Sequence, residues 1–121
     1  MNFLCGTDIV EISRIKKAID TKGERFIKKI YTDKEIEYCE SKNKNKYEHY
    51  AARFAAKEAI FKAISIKTDG YIEWKNIEII NDYTGRPKVN ILYNIKDLQN
   101  IDISMSHCKE YATANAIAVF K

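Results

Sequence analysis

The residues from Phe3 to Ile12 are mostly apolar and are expected to form a β-strand, in which alternate side chains lie on opposite faces. Asp8 falls in the series whose other members are apolar or small, namely Leu4, Gly6, Val10 and Ile12. An acid in such a series is a candidate functional residue. The alternative is that Asp8 only stabilises a turn at the strand end.

Helical spacing then dominates the chain as far as Ile66. The predicted helices cover 13–21, 24–31, 33–42 and 46–66, with a polar loop at 41–46. Ser13 is expected to cap the first helix, which Gly23 follows as a stop signal. The run Thr32-Asp33-Lys34-Glu35 has the form of a capping box and predicts the start of the third helix.

The segment Arg53–Ala63 of the longest predicted helix is apolar nearly all round, which is typical of a buried helix. It also carries four charged residues: Arg53, Lys57, Glu58 and Lys62. Because burying an unpaired charge costs several kcal/mol, these groups must be paired, bound to a ligand, or face a cleft. Glu58 and Lys62 share one face, about 40° apart, while Arg53 and Lys57 form a second stripe.

Less specific interpretations of these helix charges remain open. Glu58 and Lys62 could form an ordinary surface ion pair between residues four apart, with Glu58 on the favourable N-terminal side. Lys57 lies about 100° from Glu58 on the helix, so a structural salt bridge elsewhere is its expected use.

After Gly70 the period changes from helical to two residues. The predicted strands cover 76–81, 89–92, 101–107 and 111–120. Gly85-Arg86-Pro87 marks a turn between the first two, and 93–100 is ambiguous, with a short helix as one interpretation. One strand, several helices including one long buried helix, and then antiparallel hairpins make an α+β fold, expected as one domain over 1–121.

The composition fits a globular chain, because 45% of the 121 residues are hydrophobic and 31% are charged. No apolar run approaches the roughly 20 residues of a membrane helix, and no secretory signal pattern opens the chain. Three cysteines without metal-ligand spacing indicate free thiols in a reducing cytoplasm. Cys5 and Cys108 are expected to be small core residues.

The net charge of +4 is unevenly distributed. Between Ser13 and Ile30 there are seven basic residues and only two acidic ones. Such a run is either a solvated helical face in a lysine-rich protein or a docking surface for an acidic partner.

The candidate chemistry comes from combining distant parts of the chain. Asp8 and Glu58 offer two carboxylates, the oxygen ligands that Mg²⁺ prefers, with water and phosphate at its remaining positions. Lys62 supplies a positive charge for a phosphate or its leaving oxygen. A Ser106-His107 pair ends a predicted strand. These residues predict metal-assisted chemistry on a phosphate.

In this order, the blocks closely resemble the holo-acyl-carrier-protein synthases, the short bacterial group of 4'-phosphopantetheinyl transferases. The matching blocks are Gly6-Thr7-Asp8, Arg53-Phe54-Ala55-Ala56-Lys57-Glu58-Ala59-Ile60-Phe61-Lys62, Gly85-Arg86-Pro87, and Ser104-Met105-Ser106-His107-Cys108-Lys109-Glu110-Tyr111-Ala112. The likeness covers essentially the whole chain. A lone Gly-x-Asp has no specificity, but Phe-x-x-Lys-Glu-Ala-x-x-Lys together with the other blocks is highly specific.

The resemblance implies a reaction. Such enzymes move the 4'-phosphopantetheine group of coenzyme A to a serine of apo acyl carrier protein and release adenosine 3',5'-bisphosphate. The resemblance further implies Mg²⁺ as cofactor, a role in fatty acid biosynthesis, and a homotrimer with active sites between subunits.

It also implies roles by position. Asp8 and Glu58 are expected to bind the metal and, with Lys62 facing the pyrophosphate, to form the catalytic group. The general base stays open between Glu58, Asp8 and a water that they hold. The residues expected near coenzyme A are Arg53, Lys62, Gly85, Pro87, Ser106 and His107. Those expected to meet the acidic carrier protein are Arg14, Lys17 and Arg25.

Some of these residues have simpler interpretations. Gly85 and Pro87 could serve only the turn, and His107 could be an edge histidine bonded to backbone. His49 is expected at the surface. Trp74 is expected to be a core or interface aromatic rather than a nucleotide-stacking platform.

Two other functions would each explain part of the sequence. A nucleic-acid-binding module would explain the basic run, but aromatics are not interleaved with basic residues on an exposed strand, and the carboxylates would repel phosphate. A metal-dependent nuclease usually places its acid and lysine two apart on a strand, whereas Glu58 and Lys62 are four apart on a predicted helix. We therefore expect neither nucleic acid nor a membrane as partner.

Overall fold

The computed structural model describes all 121 residues and has the predicted α+β architecture. The strands are β1 (Asn2–Glu11), β2 (Ile77–Asn81), β3 (Pro87–Ile91), β4 (Leu98–His107) and β5 (Tyr111–Phe120). The helices are α1 (Ile12–Lys22), α2 (Glu24–Ile30), α3 (Asp33–Glu40) and α4 (Lys46–Thr68), with 3₁₀ turns at Asn43–Asn45 and Trp74–Asn76. None of these helices combines the length and apolar composition that crossing a bilayer requires.

The strands form two antiparallel sheets, one of three strands in the order β1-β5-β4 and one hairpin of β2 and β3. In the larger sheet Asp8 lies opposite Ala114, which lies opposite Met105. Because side chains alternate along a strand, these three share the face that α4 covers. The register therefore places Asp8 beside the long helix.

Helix α4 lies unusually close to β1. A Cβ atom at Gly6 would lie 1.9 Å from the Ala59 carbonyl oxygen and 2.9 Å from the Ala63 nitrogen, so only glycine fits there. The facing positions of β5 are also small, with Ala112, Ala114, Ala116 and Ala118 all buried. Small residues on both elements let the helix backbone approach the sheet, and this approach brings Glu58 within reach of Asp8.

A buried ion pair fixes α4 against the smaller helices. Lys57 Nζ lies 2.7 Å from Glu35 Oε1, with both side chains fully buried, and also donates to the Ile30 and Trp74 carbonyl oxygens. Burial lowers the pKa of Lys57, and the Glu35 carboxylate opposes that shift. The expectation that Lys57 makes a structural salt bridge is confirmed.

The capping box at Thr32 and Glu35 is present as predicted. The Thr32 nitrogen donates to Glu35 Oε1 at 2.8 Å, and the Glu35 nitrogen donates to Thr32 Oγ1. Glu35 Oε2 accepts from the Ile79 nitrogen at 2.7 Å, so the same carboxylate joins α3 to β2.

Two local expectations were wrong. Ser13 does not cap α1, which begins one residue earlier because the Ile12 nitrogen donates to the Glu110 carbonyl between β4 and β5. Cys5 and Cys108 are exposed rather than buried, since Cys5 points away from α4 and Cys108 sits in the β4–β5 turn.

The segment 93–100, which was ambiguous from sequence, contains no helix. Ile95 is buried there, Asp97 adopts the left-handed conformation with φ of 67°, and β4 starts at Leu98 with a bulge. Left-handed backbone at Asp97 cannot continue a helix.

The face of the larger sheet that is turned away from α4 is uncovered. We call it the outer face, and it includes Phe3, Cys5, Thr7 and Ile9 of β1 with Asn115 and Ile117 of β5. Phe3 is 61% exposed, Ile9 65% and Ile117 40%. Large apolar side chains grouped in this way on one flat face are typical of an interaction surface.

Candidate functional site

The first group of candidate residues consists of Asp8, Glu58 and Lys62, and it includes an ion pair between Asp8 and Lys62. Lys62 Nζ lies 3.1 Å from Asp8 Oδ1 and donates to the Thr7 carbonyl oxygen at 2.9 Å. The Asp8 side chain is only 16% exposed, whereas that of Lys62 is 55% exposed. The simpler interpretation, a surface pair between Glu58 and Lys62, is wrong because the partner of Lys62 is Asp8.

Glu58 completes this first group. Burial raises the pKa of Glu58, the nearby Asp8 carboxylate raises it further, and Lys62 partly offsets both effects. Its side chain is therefore close enough to Asp8 for two negative charges to repel each other. The structure thus brings together Asp8, Glu58 and Lys62, the three residues expected to form the catalytic group.

The donor set of this group suits Mg²⁺. Two carboxylates that converge in a partly buried place repel each other, and a divalent cation between them removes that repulsion. No cluster of three or more potential metal-ligating side chains is present, so two carboxylates would be the protein's share. Mg²⁺ commonly binds through one or two carboxylates together with waters and substrate phosphates.

A second group surrounds Arg53, on the other side of α4. Arg53 is five residues from Glu58 and nine from Lys62, about 140° and 180° away around the helix. It is 1% exposed, stacks over the Tyr38 ring at 4.2 Å, and its Nη2 donates to Asn81 Oδ1 at 2.6 Å. Asn81 Nδ2 in turn donates to the Gly85 carbonyl at 2.8 Å.

Gly85 and Pro87 belong to this second group. Gly85 has φ of 87°, a conformation that favours glycine, and its turn is closed by the Asp82 side chain, which accepts from the Thr84 and Arg86 nitrogens. The turn and β4 enclose a depression of about 380 Å³ lined by Thr84, Gly85, Arg86, Pro87, Ile103, Ser104 and Met105. The turn prediction is confirmed, and a contact with ligand stays a prediction.

Ser106 and His107 lie at the exposed end of β4. His107 Nδ1 is 3.7 Å from Glu48 Oε2 and its ring is 6.2 Å from that of His49, so it is neither buried nor bonded to backbone. Glu48 lies fourteen residues before Lys62 on α4, about 21 Å along the helix axis. Within one chain, His107 is therefore not in contact with the first group.

The residues expected to bind a carrier protein lie on a basic surface. Arg14, Lys17 and Arg25 are all exposed on α1 and α2. Beside them is a depression of about 380 Å³ lined by Lys22, Arg25, Phe26, Lys29, Ile30 and Trp74. Within this run Lys16 pairs with Asp20 and Lys28 with Glu24, so not every basic charge is unpaired.

Two contributors to the site were missed from sequence. Asn81 joins Arg53 to the glycine turn, and the Thr7 carbonyl holds Lys62. A backbone carbonyl leaves no sequence signal. Asn81 could have been noticed only as a polar residue at the end of a predicted strand.

Known proteins share this fold and sequence. The sequence profile described as the 4'-phosphopantetheinyl transferase superfamily matches residues 4–116. A holo-[acyl-carrier-protein] synthase of Ruminiclostridium cellulolyticum is 44% identical, over 97% of this chain and 92% of its own.

Two solved structures superpose closely. One, described as a Chronobacterium ammoniagenes ACPS-CoA complex, has a TM-score of 0.85 at 25% identity and covers 100% of this chain and 99% of its own. The other is Helicobacter pylori holo-[acyl-carrier-protein] synthase in complex with coenzyme A, with a TM-score of 0.81 at 27% identity, covering 98% of this chain and all of its own.

Fold and sequence define the protein as a transferase of a phosphate-containing group. The chain belongs to the 4'-phosphopantetheinyl transferase superfamily, and the enzyme class expected from its motifs is confirmed.

Proposed function

We propose that the protein transfers the 4'-phosphopantetheine group of coenzyme A to a serine of apo acyl carrier protein and releases adenosine 3',5'-bisphosphate. The observation that carries this proposal is the convergence of Asp8 and Glu58, with Lys62 beside them, on one flank of α4. The complexes of the two superposed relatives with coenzyme A support the choice of substrate.

Asp8 and Glu58 would hold Mg²⁺, which supplies charge neutralisation at the diphosphate when bound. In the reaction the serine oxygen forms a bond to the phosphorus that carries the pantetheine arm. The bond from that phosphorus to the bridging oxygen breaks, and its electron pair leaves with adenosine 3',5'-bisphosphate.

The protein side chains have separate tasks in this scheme. The serine proton passes to a carboxylate of the first group, Glu58 or Asp8, or to a water that they hold. Lys62, whose mostly exposed side chain has room to turn from Asp8 to a phosphate oxygen, neutralises the leaving group.

The second group would bind the nucleotide part of coenzyme A. Gly85, Pro87, Ser106 and His107 are the proposed contacts, and Arg53, which is buried near them, would attract phosphate by its charge. Because one protomer holds this group apart from Lys62, we propose that a complete site combines the two groups from neighbouring subunits.

The outer face is the proposed subunit interface. A homotrimer would cover the exposed Phe3, Ile9 and Ile117, which otherwise leave apolar area in water. In a closed ring each subunit presents one surface to the neighbour on one side and another surface to the neighbour on the other. Such an arrangement supports sites made by two chains.

The acidic carrier protein would dock on the basic surface through Arg14, Lys17 and Arg25. All three are exposed, and their charges would steer a negatively charged partner. The proposed unit is the single domain over 1–121. Its three cysteines are free thiols, which the cytoplasm maintains, and we propose the cytoplasm as its compartment and fatty acid biosynthesis as its role.

Intact-mass measurement of a carrier protein tests the activity. Incubation with coenzyme A, Mg²⁺ and apo acyl carrier protein is expected to add one phosphopantetheine group, and a chelator is expected to prevent this. A carrier that lacks its acceptor serine is the control. No mass increment under any Mg²⁺ concentration would contradict the proposed function.

A further inference from the structure

The Arg53 guanidinium is a buried cation without a carboxylate partner. None of the salt bridges in the structure includes it, although it is 1% exposed. The nearby carboxylates are used elsewhere, since Glu35 pairs with Lys57 and Glu78 accepts from Thr32 Oγ1 at 2.6 Å. Arg53 Nε is the one buried side-chain nitrogen or oxygen that has no hydrogen-bond partner. A buried arginine is normally paired, so this exception asks for an explanation.

The side-chain hydrogen bond of Arg53 goes to a neutral amide. Asn81 Oδ1 accepts from Arg53 Nη2 at 2.6 Å, while Asn81 Nδ2 donates to the Gly85 carbonyl at 2.8 Å. An amide carries an acceptor and a donor on one terminal group. A carboxylate of the same size could accept from Arg53 but could not donate to Gly85, and it would neutralise the cation.

We propose that Asn81 is a positioning residue that holds Arg53 and the Gly85 turn together while leaving the Arg53 charge available to an anionic ligand. The inference rests on the proposed function, and the ligand chemistry is the phosphate groups of coenzyme A. Asn81 holds the Arg53 guanidinium by a hydrogen bond and adds no negative charge beside it. The positive charge of Arg53 is poorly screened in the protein interior and can therefore attract an anion.

The Asn81→Asp and Asn81→Ala variants separate charge from structure. Both remove the hydrogen bond to the Gly85 carbonyl. Only the aspartate variant adds a negative charge against Arg53, where it would form a close ion pair. The aspartate variant should therefore keep its melting temperature better than the alanine variant and yet bind coenzyme A more weakly.

Titration calorimetry with coenzyme A, together with thermal unfolding, measures both effects. We expect Asn81→Asp to weaken binding on the order of tenfold or more, and Asn81→Ala to weaken it less while melting at a lower temperature. In steady-state assays the aspartate variant should raise KM for coenzyme A and leave kcat within about twofold. Asn90→Asp is the control, because Asn90 is exposed on β3 and its substitution adds the same charge away from Arg53.

The outcomes distinguish the inference from the function on which it rests. If the wild-type protein binds coenzyme A and Asn81→Asp binds it equally well, the inference is wrong and the proposed function stands. The inference is also wrong if affinity follows melting temperature across the variants. If the wild-type protein does not bind coenzyme A at all, the proposed function itself is contradicted, and the inference with it.

Discussion

At the scale of single residues, the first group holds two carboxylates and one lysine close together, which leaves one negative charge in excess. Asp8 and Glu58 come from β1 and α4, 50 positions apart in sequence, and are brought together because Gly6 lets the helix backbone approach the strand. The position of Asp8 in an apolar or small series made it a candidate residue, and in the structure this series faces α4. The pairing of Lys62 with Asp8 rather than Glu58 could not be predicted, since it depends on where the strand passes the helix.

Removing the Asp8 charge should lower the pKa of Glu58. In Asp8→Asn the like-charge repulsion is absent, so the pKa of Glu58 is expected to move toward its usual value, although burial keeps it raised. Carbon-detected NMR titration of the glutamate carboxyl groups measures this shift. Asp102→Asn, which removes an exposed acid paired with Arg86, is the control and should leave Glu58 unchanged.

The same shift has a consequence for stability. A raised pKa means that folded protein holds the Glu58 proton more tightly than unfolded protein does, so this group's contribution to stability falls as pH rises from the unfolded to the folded pKa. Asp8→Asn should reduce that fall. A Glu58 pKa that stays the same or rises in Asp8→Asn would contradict the assignment of the two carboxylates to one site.

At the scale of elements, α4 organises the molecule. Its alanine face packs on the larger sheet, and Lys57 ties its other side to α2, α3 and the segment before β2. Periodicity alone predicted the existence of this helix and its burial. The bounds of the elements were predicted less accurately where tertiary contacts decide them. One case is Ile12, whose nitrogen donates to the Glu110 carbonyl in the β4–β5 turn. Another is the segment around Ile95, which is irregular and buries that side chain.

Breaking the buried pair from one side should be far more costly than breaking a surface pair. Lys57→Met leaves the Glu35 charge buried and unpaired, so we expect a loss of about 3–5 kcal/mol in the free energy of unfolding. Lys16→Met removes a pair whose side chains are half exposed and should cost less than about 1 kcal/mol. Urea unfolding at one protein concentration compares the two.

The double variant Lys57→Met, Glu35→Gln checks the physical cause of this difference. With neither charge present, part of the lost stability should return, because the uncompensated carboxylate is gone, although a glutamine amide has only one oxygen to accept from the Thr32 and Ile79 nitrogens. Equal losses for Lys57→Met and Lys16→Met would contradict the structural role given to Lys57.

At the scale of the whole molecule, two features are left incomplete in one chain. The outer face leaves large apolar side chains in water, and the two groups of site residues lie on different sides of α4. The motifs predicted a set of candidate site residues. They could not predict that one chain keeps these residues in two groups, because that follows from the crossing of α4 over the sheet.

Mixed oligomers test whether neighbouring subunits share a site. Lys62→Ala damages the first group and His107→Ala the second, and each variant alone is expected to be nearly inactive. When the two variants are co-expressed in equal amounts and mix at random, about a quarter of the interfaces should combine an intact first group with an intact second group. The mixed oligomers should therefore have about a quarter of the wild-type activity. Activity equal to the average of the two single variants would contradict the shared site.

The most direct test of the central claim measures phosphopantetheine transfer to apo acyl carrier protein by Asp8→Asn and Glu58→Gln at saturating Mg²⁺. Both substitutions preserve side-chain size, so the expected result is a folded protein whose kcat falls by at least about a hundredfold. Asp102→Asn serves as the matched control and should transfer at the wild-type rate. If either carboxylate variant turns over at close to the wild-type rate, these two side chains do not hold the catalytic metal, and the account is wrong.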